Sequence, residues 1–263
     1  MNSIKTEAVS SVHTESGKEK PVIEINNLKK SFGKLDVLKD VSLNLYDGEN
    51  LVVLGKSGTG KSVLIKCVIG LLTGYEGTIK VFDKDIASLT KTEMDLLRQK
   101  IGFLFQSGAL YDSMSVKENI EFPLRRIKNE LSEQQVREKV FEVLENVGLS
   151  DSLNKMPSEL SGGMRKRISL ARSIVLNPLI MLYDEPTTGL DPVTSDEISF
   201  LINDIQKKYK TSSLIITHDI RCAHATANRV IMLREGEVYK EGKPEEFDKS
   251  TDPEIRSFFL EKK

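Results

Sequence analysis

Apolar and polar positions alternate in the first fifty residues of this chain, then change to helical spacing in its middle third. Val22-Ile23-Glu24-Ile25 alternates as an edge strand does, and Val41-Ser42-Leu43-Asn44-Leu45 alternates again before an Asp47-Gly48 turn. Phe32-Gly33-Lys34 marks a turn between them. Leu51-Val52-Val53-Leu54 is a continuous apolar run of the buried-strand type, and Ser62 to Ile69 can follow it as a helix. Gly77 to Phe82 reads as a strand, Thr92 to Lys100 as a short helix, and Ile101 to Phe105 as a strand stopping at Gln106. Beyond Gln106 the period changes. Val116 to Arg126 and Ser132 to Val147 carry apolar residues at helical spacing, with Ser132 placed to cap the second. No strand pattern returns before Pro178. Strand signals resume at Leu179 to Tyr183, Ser213 to Thr217 and Arg229 to Leu233, with a helix from Val193 to Tyr209 between the first two.

This order predicts an α/β fold with a mostly parallel sheet, an antiparallel β edge and a helical subdomain over about residues 107–176. The main domain is expected over residues 21–243. Residues 1–20, rich in Ser, Glu and Lys, predict a disordered tail, and Glu245 to Lys262 a helix within a C-terminal extension over residues 244–263.

Composition narrows the classes. The 263 residues are 39% hydrophobic, enough for one sizeable core or two small ones. Lysine and arginine number 38 against 39 acidic residues, a balance that argues against nucleic acid as a partner. Cys67 and Cys222 have no CxxC neighbour and are expected as buried thiols in a reducing compartment. No apolar run reaches bilayer length, and Met1 to Lys20 lacks the apolar segment of a secretion signal. The expectation is a cytosolic chain whose membrane role, if any, works through a partner.

The clearest chemical signal is Gly55-Lys56-Ser57-Gly58-Thr59-Gly60-Lys61-Ser62, which fits G-x-x-x-x-G-K-[ST] between a strand and a helix. Small residues let backbone N–H groups converge on a phosphate, and the helix N-terminus adds its dipole. Lys61 is placed for the β- and γ-phosphates and the Ser62 hydroxyl for Mg²⁺. The chain is thus expected to be a P-loop NTPase. A GTPase would need Asn-Lys-x-Asp to read its base, and Asn154-Lys155-Met156-Pro157 lacks the Asp.

Four further motifs follow. Leu160-Ser161-Gly162-Gly163-Met164 opens a helical pattern, Leu179 to Tyr183 ends in Asp184-Glu185, Gly189-Leu190-Asp191 comes soon after, and His218 follows the next apolar strand. In this order, and over nearly all of residues 21–243, the sequence resembles the ATP-binding-cassette (ABC) ATPases. The resemblance implies ATP and Mg²⁺, with Asp184 holding the metal and Glu185 deprotonating the attacking water. It implies Gln106 as a sensor of metal and water linking the helical subdomain to the nucleotide, and His218 as the switch that contacts the γ-phosphate. Phe32 resembles the aromatic that stacks on adenine, although Tyr is commoner there; its alternative is core packing. Ser161, Gly162 and Gly163 stand at a helix N-terminus, and in the family such residues complete the nucleotide site of a second subunit. This implies a homodimer with composite ATP sites, and Asp191 resembles the residue through which the two sites communicate. Met164 replaces the commoner Gln, so hydrogen bonds from that position are not carried over.

Gln106-Ser107-Gly108-Ala109-Leu110-Tyr111-Asp112-Ser113-Met114-Ser115-Val116, together with the Leu160 to Met164 motif, resembles the ATPases of MCE-domain phospholipid transporters. That implies transmembrane permease subunits, an MCE-domain lipid-binding protein, and a position on the inner face of the cell membrane held through the permease. The Gly108 to Tyr111 segment is then a candidate for receiving the permease; the alternative is packing alone. The rival within the family is a cell-division or lipoprotein-release cassette doing mechanical work.

Overall fold

The computed structural model describes residues 20–128 and 130–260. The tail expected over residues 1–20 therefore lies outside the described residues except for Lys20, as do the last positions of the expected closing helix. Strands β1 (Pro21–Phe32) and β2 (Leu35–Tyr46) form a hairpin turning at Gly33, and β3 (Asn50–Leu54) leads through the Gly55 to Gly60 loop into α1 (Lys61–Val68). Then come β4 (Glu76–Val81), β5 (Lys84–Asp85), α2 (Lys91–Arg98) and β6 (Ile101–Leu104). The helices α3 (Val116–Ile127), α4 (Glu133–Asn146) and α5 (Gly162–Ile174) follow, with no strand among them, before β7 (Ile180–Asp184). The chain continues through α6 (Pro192–Tyr209), β8 (Ser212–Thr217), α7 (Ile220–Thr226), β9 (Arg229–Arg234), β10 (Glu237–Gly242), α8 (Pro244–Asp248) and α9 (Pro253–Leu260).

Local chemistry starts several of these helices. Thr90 with Glu93, Ser115 with Glu118 and Ser132 with Gln135 form reciprocal capping boxes, each satisfying two amides that a helix end leaves unpaired. Asn119, fully buried on α3, shapes the segment before that helix. Its Oδ1 accepts from Tyr111 N at 2.8 Å, while its Nδ2 donates to Tyr111 O at 3.1 Å and Met114 O at 2.9 Å.

The strands form one sheet in the order β5-β4-β1-β2-β10-β9-β3-β8-β7-β6. β9, β3, β8, β7 and β6 run parallel, and β5, β4, β1 and β2 run antiparallel. The two parts join at a single paired position, Glu237 with Asp40. The antiparallel edge expected from the sequence is a four-stranded segment, β5-β4-β1-β2. Two expectations need correction. β1 is not an edge strand, because β2 and β4 cover its two sides. The closing helix breaks into α8 and α9, since Pro253 has no amide to continue it and the Asp252 carboxylate accepts from Glu254 N at 2.9 Å instead.

Both faces of the parallel segment are covered. Val52 and Leu54 of β3 join a core with α3 to α7, while Leu51 and Val53 join a second core with α1, α2 and the antiparallel strands. A strand buried on both faces explains the unbroken apolar stretches Leu51 to Leu54 in β3, Ile180 to Tyr183 in β7 and Leu214 to Ile216 in β8. Cys67 and Cys222 lie one in each core as free thiols. Burial raises their pKa values to about 11 and about 12, so neither is a thiolate at neutral pH. Leu54 pairs with Thr217, Asp184 with Ile216, and Leu104 with Tyr183. The residues that follow these strands therefore emerge along one edge of the sheet, where open α/β sheets bind ligands.

Candidate functional site

At the end of β3 the chain enters the Gly55 to Gly60 loop, whose Gly55 N donates to Thr217 O of β8 at 3.3 Å. Gly60 sits at φ 97, and a Cβ there would lie 2.6 Å from Leu38 Cδ2, so both conformation and space call for glycine. No side chain caps α1, so its first amides are left to face a ligand. The same close approach brings the β1–β2 hairpin against the loop. Phe32, at the hairpin turn, is 46% exposed with the Lys30 ammonium 5.1 Å from its ring centroid. It is therefore no core residue.

Lys61 is buried, with its ammonium donating to Gly55 O at 2.7 Å and Lys56 O at 3.0 Å and lying 3.3 Å from Glu185 Oε1. Ser62 Oγ donates to Asp184 Oδ1 at 3.0 Å. Burial raises the Asp184 pKa, partly opposed by this hydrogen bond and by Lys66. A buried carboxylate beside a hydroxyl suits a hard divalent cation, which would offset the cost of desolvating the charge. Among the described residues no group of three or more His, Cys, Asp or Glu could hold a metal by itself. Ser62 and Asp184 thus fit a Mg²⁺ ion, which they would hold and which would neutralise phosphate charge there.

Glu185 follows β7 in a left-handed conformation, φ 50. For a residue with a Cβ this costs about 1–2 kcal/mol and needs support from its surroundings. Its amide donates to Ile216 O at 2.9 Å. Its Oε2 lies 2.7 Å from His218 Nδ1 and accepts from the Thr188 hydroxyl at 3.2 Å and the His218 amide at 3.3 Å. With the carboxylate as acceptor, the His218 ring carries its proton on Nδ1. Lys61, Ser62, Asp184, Glu185 and His218 thus form one connected cluster.

The other candidates stand elsewhere. Gln106 is exposed, and it is its main-chain carbonyl that is held, by Lys166 of α5 at 2.6 Å. Ser161 caps α5, accepting from Met164 N at 3.2 Å, and Asp191 caps α6, accepting from Thr194 N at 3.0 Å and Thr194 Oγ1 at 2.6 Å. These two helix starts touch, because a Cβ on Gly163 would lie 2.5 Å from Thr194 Cγ2. Ser161, Gly162 and Asp191 are exposed, and their described contacts run to α5, to α6 and to Leu190 just before it, and not to the loop of their own chain. Met164 packs against the core in place of a polar side chain.

Sequence reasoning missed two connections. Thr187 Oγ1 donates to Asp219 Oδ2 at 2.8 Å, tying the turn after Glu185 to the residue after His218. Lys166 stands between Arg165 and Arg167, yet it is buried and its pKa falls to about 8 through desolvation. Its place four residues before the buried Leu170, on the apolar side of the helix, was the available signal.

A phosphate-binding loop joined to an acidic strand end on a parallel sheet defines a nucleoside-triphosphatase of the P-loop class. The family model described as ABC transporter matches residues 38–188. The chain is 43% identical over 236 residues to "Probable ribonucleotide transport ATP-binding protein mkl" of Mycobacterium tuberculosis, covering 90% of this chain and 66% of the relative. It is 38% identical over 225 residues to "Methionine import ATP-binding protein MetN" of Clostridioides difficile, covering 86% and 70%. It is also 40% identical over 253 residues to "Protein TRIGALACTOSYLDIACYLGLYCEROL 3, chloroplastic" of Arabidopsis thaliana, covering 90% and 73%. The solved dimer of the cassette MJ0796 in a post-hydrolysis state with ADP and Pi superposes with a TM-score of 0.77 at 32% identity, covering 84% of this chain and 98% of that one. The chain belongs to the ABC transporter family, as an ATP-binding cassette with the ATPase fold and activity. It spans between 66% and 73% of the length of these three relatives.

Proposed function

We propose that this chain powers phospholipid movement between membranes as the ATPase of an MCE-type transporter. In this reading residues 21–243 are the cassette, 107–176 its helical subdomain and 244–263 an extension. Two copies sandwich ATP with Mg²⁺, and the dimer docks on permease subunits at the inner face of the cell membrane. No helix among the described residues is long and apolar enough to cross a membrane, so the work leaves through a protein contact. What supports the lipid assignment is the resemblance of the Gln106 to Val116 segment and the Leu160 to Met164 motif to the ATPases of that transporter class. The Arabidopsis relative, whose name is that of a lipid, agrees with it; the methionine and ribonucleotide relatives give the competing substrates.

The docking surface is narrower than its four residues suggest. Gly108 is buried and Leu110 packs on the core, leaving Ala109 and Tyr111 exposed. Arg172 of α5 supports the pair from beneath, donating to Ala109 O at 2.8 Å and lying 5.5 Å from the Tyr111 ring. Ala109→Glu adds charge and bulk where Ala already tolerates φ 52, so the local fold should hold. The expected outcome is normal nucleotide binding with loss of permease copurification and of ATP-dependent lipid transfer between labelled liposomes, because unpaired charge at a packed contact is costly. Retention of both by the variant would place the docking site elsewhere. A wild-type complex that hydrolyses ATP and moves no lipid would favour the mechanical-work cassettes or another cargo.

The composite site has its own test. Lys61→Ala chains lack one half of it and Ser161→Arg chains the other, so each homodimer should be inactive. In their heterodimer both defects fall in one site and the second site is intact. Mixing the two inactive proteins should restore ATP hydrolysis; proven heterodimers without activity would contradict a shared site.

A further inference from the structure

Lys166 has no part in the site as assigned above, yet it is among the best-held side chains near it. It is 5% exposed, whereas Arg165 beside it faces solvent and Arg167 reaches out to Glu197. Its ammonium donates to two main-chain carbonyls, Gln106 O at 2.6 Å and Glu185 O at 3.3 Å. These carbonyls belong to the residues just past β6 and β7, neighbouring parallel strands, at the point where each chain leaves the sheet. Glu185 needs such support, because its φ of 50 is a conformation that its own side chain disfavours. Lysine suits the place. Its three donors on one nitrogen can serve two carbonyls at once, and a buried ammonium without acceptors would be too costly to keep. The helix that supplies it is α5, whose first residues are Ser161 to Gly163.

We infer that Lys166 is a positioning residue for ATP hydrolysis, fixing from α5 the main chain at Glu185 and Gln106 and so the direction in which both side chains meet the attacking water. It touches no reacting atom. Through it, any displacement of the Ser161 end of α5 is felt at the general base. The inference rests on Glu185 being that base.

The test compares Lys166→Met, which keeps length and apolar bulk but donates nothing, with Lys166→Gln, which keeps an N–H donor. Both are read in the full chain as kcat, KM for Mg²⁺-ATP and melting temperature. Lys166→Met should lower kcat by about tenfold or more, with KM within about threefold of wild type, because the lesion is in alignment and not in ground-state binding. Lys166→Gln should recover kcat to within about threefold of wild type, the charge being dispensable and the donor not. Added to Glu185→Gln, the Lys166→Met change should cost little more, since both act on one step. The inference is overturned if Lys166→Met turns over within about twofold of wild type, or if KM rises as far as kcat falls. It is equally overturned if Lys166→Gln is as slow as Lys166→Met, or if the losses multiply in the double variant. Should Lys166→Met fail to fold, Lys166→Gln decides, and a kcat below about a tenth of wild type with normal melting ends the proposal. Wild-type turnover by Glu185→Gln alone would instead remove the base assignment, whatever Lys166 does.

Discussion

Glu185→Gln is expected to slow ATP turnover by about 10²–10⁴-fold while Mg²⁺-ATP still binds. The amide keeps the shape of the carboxylate and can still orient a water, but it cannot accept that water's proton. The cluster around it should survive. Lys61 remains tied to Gly55 O and Lys56 O, and the Ser62 to Asp184 hydrogen bond does not involve the changed group. Two links change: the ion pair with Lys61 at 3.3 Å loses its negative partner, and His218 Nδ1, 2.7 Å from Oε2, can donate only to the amide's carbonyl oxygen. Steady-state phosphate release checks the rate, and titration with a fluorescent ATP analogue checks binding. Turnover at the wild-type rate would remove Glu185 from the role of base.

Lys61→Ala should act one step earlier, on binding. The loop and its amides remain, because Gly55 and Gly60 set the backbone path, but the cation that would face the β- and γ-phosphates is gone. Charge-assisted hydrogen bonds of this kind are worth about 3 kcal/mol, so affinity should fall on the order of a hundredfold. The loss reaches further than the phosphates, since Lys61 also offsets the buried Glu185 carboxylate at 3.3 Å. Equilibrium binding of labelled ATP is the measurement, and unchanged affinity and turnover would contradict the assignment of this loop.

Much of this arrangement could be read from residue order because the governing signals are local. The strand feeding Gly55 is buried on both faces and so is apolar from Leu51 to Leu54, and capping chemistry at Ser132 marks the start of α4. The strand ends carrying Asp184-Glu185 and His218 follow apolar runs for the same reason. What was not legible depends on long-range pairing. β10 is a run of Glu, Val, Tyr and Lys with half its side chains exposed, and its pairing with β9 comes from backbone hydrogen bonds that any such sequence can make. β1 and β2 extend well past their alternating stretches, with register shifts, because each supplies the other's partners. The break before α9 has its local signal in Pro253. Lys166 illustrates the harder case. Lysine is rarely buried, and its helical spacing from Leu170 was the one hint in the sequence; the burial itself comes from the packing of α5 against the ends of β6 and β7. Ser161, Gly162 and Asp191 are exposed, and nothing among the described residues of a single chain covers them; in the proposed dimer a second chain would.

ATP held in the Gly55 to Ser62 loop of one chain and closed over by Ser161 to Gly163 of another is the central claim, and the nucleotide content of Glu185→Gln protein after gel filtration with Mg²⁺-ATP tests it most directly. The prediction is a two-chain species carrying one uncleaved ATP per chain, returned to single chains when Ser161→Arg is added. A single-chain species that retains ATP regardless of Ser161, or a two-chain species that yields only ADP, would contradict it.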